Sequence, residues 1–352
     1  MSRIRSAGSA AALLSAGALL AGAATAGAAP AGAGDSGSLS YSGSTSVGVH
    51  NAYEKDTFRY FADALDSGAG LLEIDVWTNA LSKKWRVSHS NPVGNDNNCE
   101  NAGSAAELRT KARNQSLGGC LSDMRAWHDA NPGHRPILVK VEMKDGFNNK
   151  GGLGPDEFDA LVRSELGDAV FGPADLMGGH SSLDTAVQVG GWPERSALAG
   201  KFLFELIPGT VEQSNPFDSY WTDREYAEHL RSLSASGGLG SATAFPAVTG
   251  AAPGDPRTRY ADASIRPWFV VFDGDASTYV TDAGIDTAWY DRRHYLVIMT
   301  SAHAVAPEID SVNPPEADAR ARVAALAAEH GSIVTSDWSP LPGVLSTVLP
   351  RG

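Results

Sequence analysis

Two histidines and three acids occupy a small part of this chain and are its residues best suited to chemistry. His50 opens His50-Asn51-Ala52-Tyr53, and Glu73 and Asp75 lie in Glu73-Ile74-Asp75-Val76-Trp77. His89 closes Val87-Ser88-His89, and Glu142 lies in Val139-Lys140-Val141-Glu142-Met143-Lys144. Alternate residues of a strand share a face, so Glu73 and Asp75 point inward while Ile74 and Val76 point outward. By the same rule Lys140, Glu142 and Lys144 share a face. Unpaired carboxylates inside a small barrel are costly, and a metal ion removes that cost. Glu73, Asp75, Glu142 and the amide oxygen of Asn51 form an all-oxygen set without sulfur or imidazole, which suits calcium or magnesium rather than zinc. The plainer alternative pairs Glu73 and Asp75 with Lys140 or Lys144 and leaves His50 and His89 as satisfied core or rim histidines.

Such residues meet only if the fold gathers them on one rim. Eight short β-rich runs carry a polar residue at or next to their last position: 46–50, 71–76, 85–89, 137–142, 201–206, 268–273, 295–300 and 332–337. Helix-like stretches separate them at 55–67, 105–112, 121–130, 155–166, 222–234 and 315–330. Alternating strands and helices predict an α/β fold with a parallel sheet, and eight units predict a single (β/α)8 TIM-like barrel, regular or distorted, over residues 44–352. In such a barrel chemistry gathers where strands end. Those ends read His50, Asp75, His89, Glu142, Glu205, Asp273, Thr300 and Asp337. Lys144, Glu205 and Asp273 are the candidates for substrate contact. Residues 234–256, rich in Gly, Ala, Ser and Pro, read as an irregular solvated insertion or a loop over the barrel mouth, with Phe245-Pro246 their one obvious apolar feature.

Residues 1–28 read as a signal peptide. Arg3 and Arg5 precede an apolar run from Ala10 to Ala24, and Ala24-Thr25-Ala26 and Ala26-Gly27-Ala28 fit a cleavage site. The run is short for a transmembrane segment. Residues 29–43 read as a flexible Gly/Ser/Ala segment. Removing residues 1–28 takes the formal charge from −13 to −15, a balance that argues against a nucleic-acid partner and makes any lipid docking local. Cys99 and Cys120 are the only cysteines. In a secreted, extracellular chain they predict a disulfide, worth roughly 3 kcal/mol in the chain-entropy picture. A monomer is expected.

The order His-Asn, Glu-x-Asp, a second His, then Glu on a later strand resembles the catalytic region of calcium-dependent phosphatidylinositol-specific phospholipases C. The segments HNAY, LLEIDVW and VSH match closely, and ILVKVEMK matches the strand that bears the last metal carboxylate. The 39-residue spacing of the histidines is similar to that of the secreted actinobacterial branch. These motifs fall within residues 44–145, and the remainder agrees in barrel periodicity.

The resemblance implies catalytic roles for His50 and His89, and Ca2+ held by Asn51, Glu73, Asp75 and Glu142. It implies phosphatidylinositol, in membranes or micelles, as substrate. The inositol 2-hydroxyl would attack phosphorus and release diacylglycerol and a cyclic or acyclic inositol phosphate. Glu73 or Glu142 would take the hydroxyl proton, His50 would face the phosphate and His89 the leaving oxygen. Intracellular relatives continue the strand beginning Gly200-Lys201-Phe202 with lysines that hold ring phosphates. Here it reads Phe204-Glu205-Leu206-Ile207, which argues for the unphosphorylated ring. The competing readings are a glycerophosphodiester phosphodiesterase or sphingomyelinase D-like enzyme, and a catalytically silent headgroup-binding module. The former usually has Arg-Gly where this chain has Asn51-Ala52.

Overall fold

Runs rich in Val, Leu, Ile and Phe that bury both faces are the mark of parallel strands covered by helices, and here they close into a ring. A computed structural model describes residues 36–79 and 82–352. Its strands, in chain order, are β1 (Ser44–Val49), β2 (Leu71–Asn79), β3 (Lys84–Val87), β4 (Ile137–Met143), β5 (Phe202–Pro208), β6 (Ala244–Thr249), β7 (Val271–Asp275), β8 (Leu296–Thr300), β9 (Ile333–Ser336) and β10 (Val348–Pro350). Eight of them pair in parallel in the order β1, β2, β4, β5, β6, β7, β8, β9, and β9 returns to β1. The fold is therefore a closed barrel of eight parallel strands with flanking helices, as expected for a TIM-like barrel.

The flanking helices carry local start signals. Ser116 accepts the Gly119 amide at the head of Leu117–Ala130. Pro155 opens Pro155–Leu166, where the Glu157 carboxylate accepts the Gly154 amide and Phe158, Val162 and Leu166 turn inward. Thr222–Ser236 and Glu316–Ala328 begin and end close to the sequence expectation.

Register sets the barrel interior in layers. Glu73 lies opposite Lys140, and Lys140 opposite Glu205. One layer nearer the C-terminal mouth, Asp75 lies opposite Glu142, and Glu142 opposite Ile207. The inward face carries charge, while Ile74 and Val76 are wholly buried on the other face.

Four sequence expectations need correction. Residues 85–89 are no barrel strand, because β3 runs antiparallel to β2. The connection from Asn79 to Lys84 is too short for a parallel crossover and allows only a hairpin. The eighth barrel strand is β6, inside the stretch taken as irregular. It pairs with β5 over Ala244–Pro246 and with β7 over Ala247–Thr249, so Pro246 sits where the strand passes from one neighbour to the other. Residues 105–112 form turns, with the Glu100 carboxylate accepting the Arg109 and Lys111 amides. The described part of the segment 29–43 is docked: Tyr41 is buried against Trp192, and Ser40 bridges Glu194. Residues 1–35, including the expected signal peptide, lie outside the described residues. The Cys99–Cys120 disulfide is formed, and no helix among the described residues is long and apolar enough to cross a membrane.

Candidate active site

The site begins where β1 ends. Asn51 adopts φ 51°, a left-handed conformation that asparagine tolerates better than most residues. The turn brings the Asn51 amide to 3.2 Å from Glu73 Oε2 and leaves the Asn51 side-chain oxygen buried with no hydrogen-bond partner. Beside it, His50 Nδ1 lies 2.8 Å from Asp337 Oδ1, and Nε2 lies 3.6 Å from Glu73 Oε2. Burial alone would depress this imidazole. The Asp337 hydrogen bond and the charges of Glu73 and Asp337 outweigh burial and push it up to about 9. Without a metal ion these contacts favour the protonated imidazole at neutral pH.

Glu73, Asp75 and Glu142 form the acidic cluster, with one oxygen of each lying within 4.8 Å of the others. Two lysines meet them. Lys144 Nζ is 3.0 Å from Asp75 Oδ2 and 2.9 Å from Glu142 Oε1, and the Thr210 amide donates to Glu142 Oε1 at 3.0 Å. Lys140 Nζ is 2.8 Å from Asp273 Oδ2 and 3.5 Å from Glu73 Oε1. Asp75 Oδ2 meets Lys144, while Asp75 Oδ1 remains without a hydrogen-bond partner.

Two acids two residues apart are driven in opposite directions. Burial, then Glu73 and Glu142, push the Asp75 carboxyl up to about 8 against the pull of Lys144. Burial also opposes ionisation of Glu73, but Lys140, His50 and the Asn51 amide hold it below the usual range. With Asp273 and Glu205, five carboxyl groups share two lysines. The ion pairs are therefore formed, since both lysines are paired, and acid remains in excess. The orphaned oxygens of Asn51 and Asp75, beside Glu73 and Glu142, are hard donors suited to a calcium-sized cation.

A cavity of about 260 Å3 opens at this mouth. Its lining includes His50, Glu73, Lys140, Glu142 and Ile207, together with Thr300, Ser301, His303, Ser336 and Asp337. His89 is not part of this lining. The β2–β3 hairpin sets it beside Asp75, since the Ser88 amide donates to the Asp75 carbonyl at 3.2 Å. Its own amide donates to Asp96 Oδ2 at 3.1 Å, and its Nδ1 lies 3.5 Å from Glu54 Oε1.

Direct substrate contact by Lys144, Glu205 and Asp273 is not supported by their positions. Each is buried, and none lines the cavity. Glu205 is fully buried with neither carboxylate oxygen hydrogen-bonded, and burial, then Asp273, raise it well above the usual carboxylate range. Sequence reasoning missed His303. Its one signal was a histidine three residues beyond the strand end at Thr300.

Comparison with known proteins follows the same line. The sequence profile described as "Phosphoinositide phospholipase C, Ca2+-dependent" matches residues 76–234. A solved Ca2+-dependent phosphatidylinositol-specific phospholipase C from Streptomyces antibioticus is 69% identical, covers 89% of this chain and 99% of its own, and superposes with a TM-score of 0.88. A calcium-dependent phosphoinositol-specific phospholipase C from Pseudomonas sp. is 21% identical, covers 90% of this chain and 96% of its own, and shares the fold with a TM-score of 0.67. No curated protein matches.

Proposed function

Because this chain belongs to the calcium-dependent phosphatidylinositol-specific phospholipase C family, we propose that it cleaves phosphatidylinositol to diacylglycerol and an inositol phosphate at the mouth cavity. One observation carries this reading: unpartnered Asn51 Oδ1 and Asp75 Oδ1 belong to the same cluster as Glu73 and Glu142, next to an Asp337-held imidazole. Glu73, Asp75, Glu142 and Asn51 would hold Ca2+. When bound, the ion supplies positive charge that acidifies a hydroxyl and offsets charge on phosphate oxygen.

The chain's own groups divide the remaining work. Glu73 or Glu142, both on the cavity wall, accepts the proton of the inositol 2-hydroxyl as its oxygen attacks phosphorus. The His50 cation, oriented by Asp337, donates to a phosphate oxygen as charge gathers there. His89 donates a proton to the glycerol oxygen, so the P–O bond breaks with diacylglycerol leaving neutral. The product is the 1,2-cyclic phosphate, which water opens in a second step or which leaves intact.

Glu205 bears on specificity indirectly. It places an acid beneath the cavity, and the next inward residue of β5 is the apolar Ile207 on the cavity wall. Neither offers a base to a phosphorylated ring, which supports phosphatidylinositol itself as the preferred substrate. The basic, apolar and A-x-A segments of residues 1–28, with the Cys99–Cys120 disulfide, support secretion.

Phosphorus NMR of phosphatidylinositol turnover tests the proposal. Cyclic or acyclic inositol phosphate should appear with calcium and vanish in excess chelator. Full turnover in chelator would refute the calcium role, and turnover only of glycerophosphodiesters would refute the substrate.

A further inference from the structure

The end of β9 holds two imidazoles by different chemistry. Just past the strand, Asp337 binds His50 Nδ1 through a carboxylate. Ser336, the last residue of the strand, binds His303 Nδ1 through a hydroxyl at 2.9 Å. That hydroxyl also donates to the Ser311 carbonyl at 3.1 Å. A hydroxyl has one proton, so with it committed to Ser311 the oxygen can only accept from His303. The relay runs from His303 Nδ1–H to Ser336 to Ser311, an arrangement that favours the tautomer with the proton on Nδ1.

Nε2 is then the ring's remaining polar atom, and no protein group among the described residues is hydrogen-bonded to it. His303 is half-buried and lines the mouth cavity, while its anchor Ser336 is 2% exposed. The turn that delivers it holds Ser301 at φ 52°, a strained position for a non-glycine residue and of the kind that persists at functional sites. In the neutral ring Nε2 offers a lone pair. It can pair with a hydroxyl, whereas a phosphate oxygen brings only another acceptor.

We propose that His303 Nε2 accepts a hydrogen bond from a ring hydroxyl of the bound inositol headgroup, making His303 a specificity-determining residue of the cavity. The inference rests on the phospholipase C reading above. Where His50 addresses the phosphate as a charged donor, His303 addresses the sugar-like ring as an acceptor. The two jobs follow from the partner each imidazole has on or beside β9.

The test measures kcat and KM, with calcium, for wild type, His303→Ala and His303→Gln. Substrates are phosphatidylinositol and analogues each lacking the 3-, 4-, 5- or 6-hydroxyl. Turnover of phosphatidylinositol by wild type secures the underlying reading, so its absence sinks that reading and is distinguishable from failure of this one. One deoxy analogue should lose roughly five- to tenfold in kcat/KM with wild type, mainly through KM, and should show no further penalty with His303→Ala. Phosphatidylinositol itself should lose a similar factor in His303→Ala and recover part of it in His303→Gln, which keeps an acceptor. Unchanged deoxy penalties in both variants, whether or not overall activity falls, would make His303 structural and overturn the proposal.

Discussion

Lys140 and Lys144 lie four residues apart, on and just past β4, and each meets more acid than it can balance. The difference between them lies in the acids they meet. Around Lys140 the excess is closed in: Glu205 is fully buried, and burial raises both it and Asp273 toward their protonated forms. The floor of the barrel is therefore neutralised by protons and by the 2.8 Å contact from Lys140 to Asp273. Of the acids around Lys144, Glu142 lines the cavity, and the Asn51 oxygen near the cluster lacks a partner. There a cation can arrive from solvent. We propose that the same surplus of carboxylate is met by protons around Lys140 and by a metal ion around Lys144, where Glu142 opens to the cavity.

The largest effect expected is in the chemistry at the mouth. His89→Ala should lower turnover of phosphatidylinositol by ~10²–10⁴-fold, yet cost far less on an analogue with a nitrophenolate leaving group. His50→Ala should hurt both substrates about equally. Leaving-group rescue by His50→Ala instead would exchange the two roles.

Next in size, Asp75→Asn should raise the calcium concentration for half-maximal activity by at least ~10²-fold while moving the substrate KM little. Asp273→Asn should leave the calcium requirement within a few-fold. Equal effects of the two would erase the distinction between mouth and floor.

The third prediction concerns stability. Lys140→Met removes the cation among Glu73, Asp273 and Glu205, and breaking such a buried pair typically costs about 3–5 kcal/mol. Urea unfolding in chelator should show that loss, and a variant as stable as wild type would mean the floor holds no net ion pairing.

The fourth prediction is a pH dependence. Without calcium, the Asp75 carboxyl sits at about 8 in the folded chain against an ordinary 3.8. The folded state thus binds the extra proton between those limits, and stability falls as pH rises through them. The stability advantage of Asp75→Asn over wild type in chelator should widen from pH 4 to pH 8 and then level off. An advantage independent of pH would contradict it.

What the sequence made legible was what depends on near neighbours. The two-residue period set Glu73 and Asp75 inward before any fold was known, and two cysteines left a single pairing. Strand β6 was hidden by Pro246 and by the Ala- and Gly-rich composition around it. Strand β3 was misplaced although the four residues between Asn79 and Lys84 already excluded a crossover. The partners that closure supplies were out of reach: His50 and Asp337 are 287 positions apart, and Lys140 finds Asp273 across the barrel. His303 has no meaning in sequence until β9 puts Ser336 beneath it.

The central claim, that the mouth takes a cation and the floor does not, is tested most directly by calcium titration calorimetry on the purified protein. Wild type and Asp273→Asn should each bind one Ca2+, and Asp75→Asn should show binding weakened by at least ~10²-fold. Undiminished binding by Asp75→Asn, or loss of binding in Asp273→Asn alone, would contradict the account.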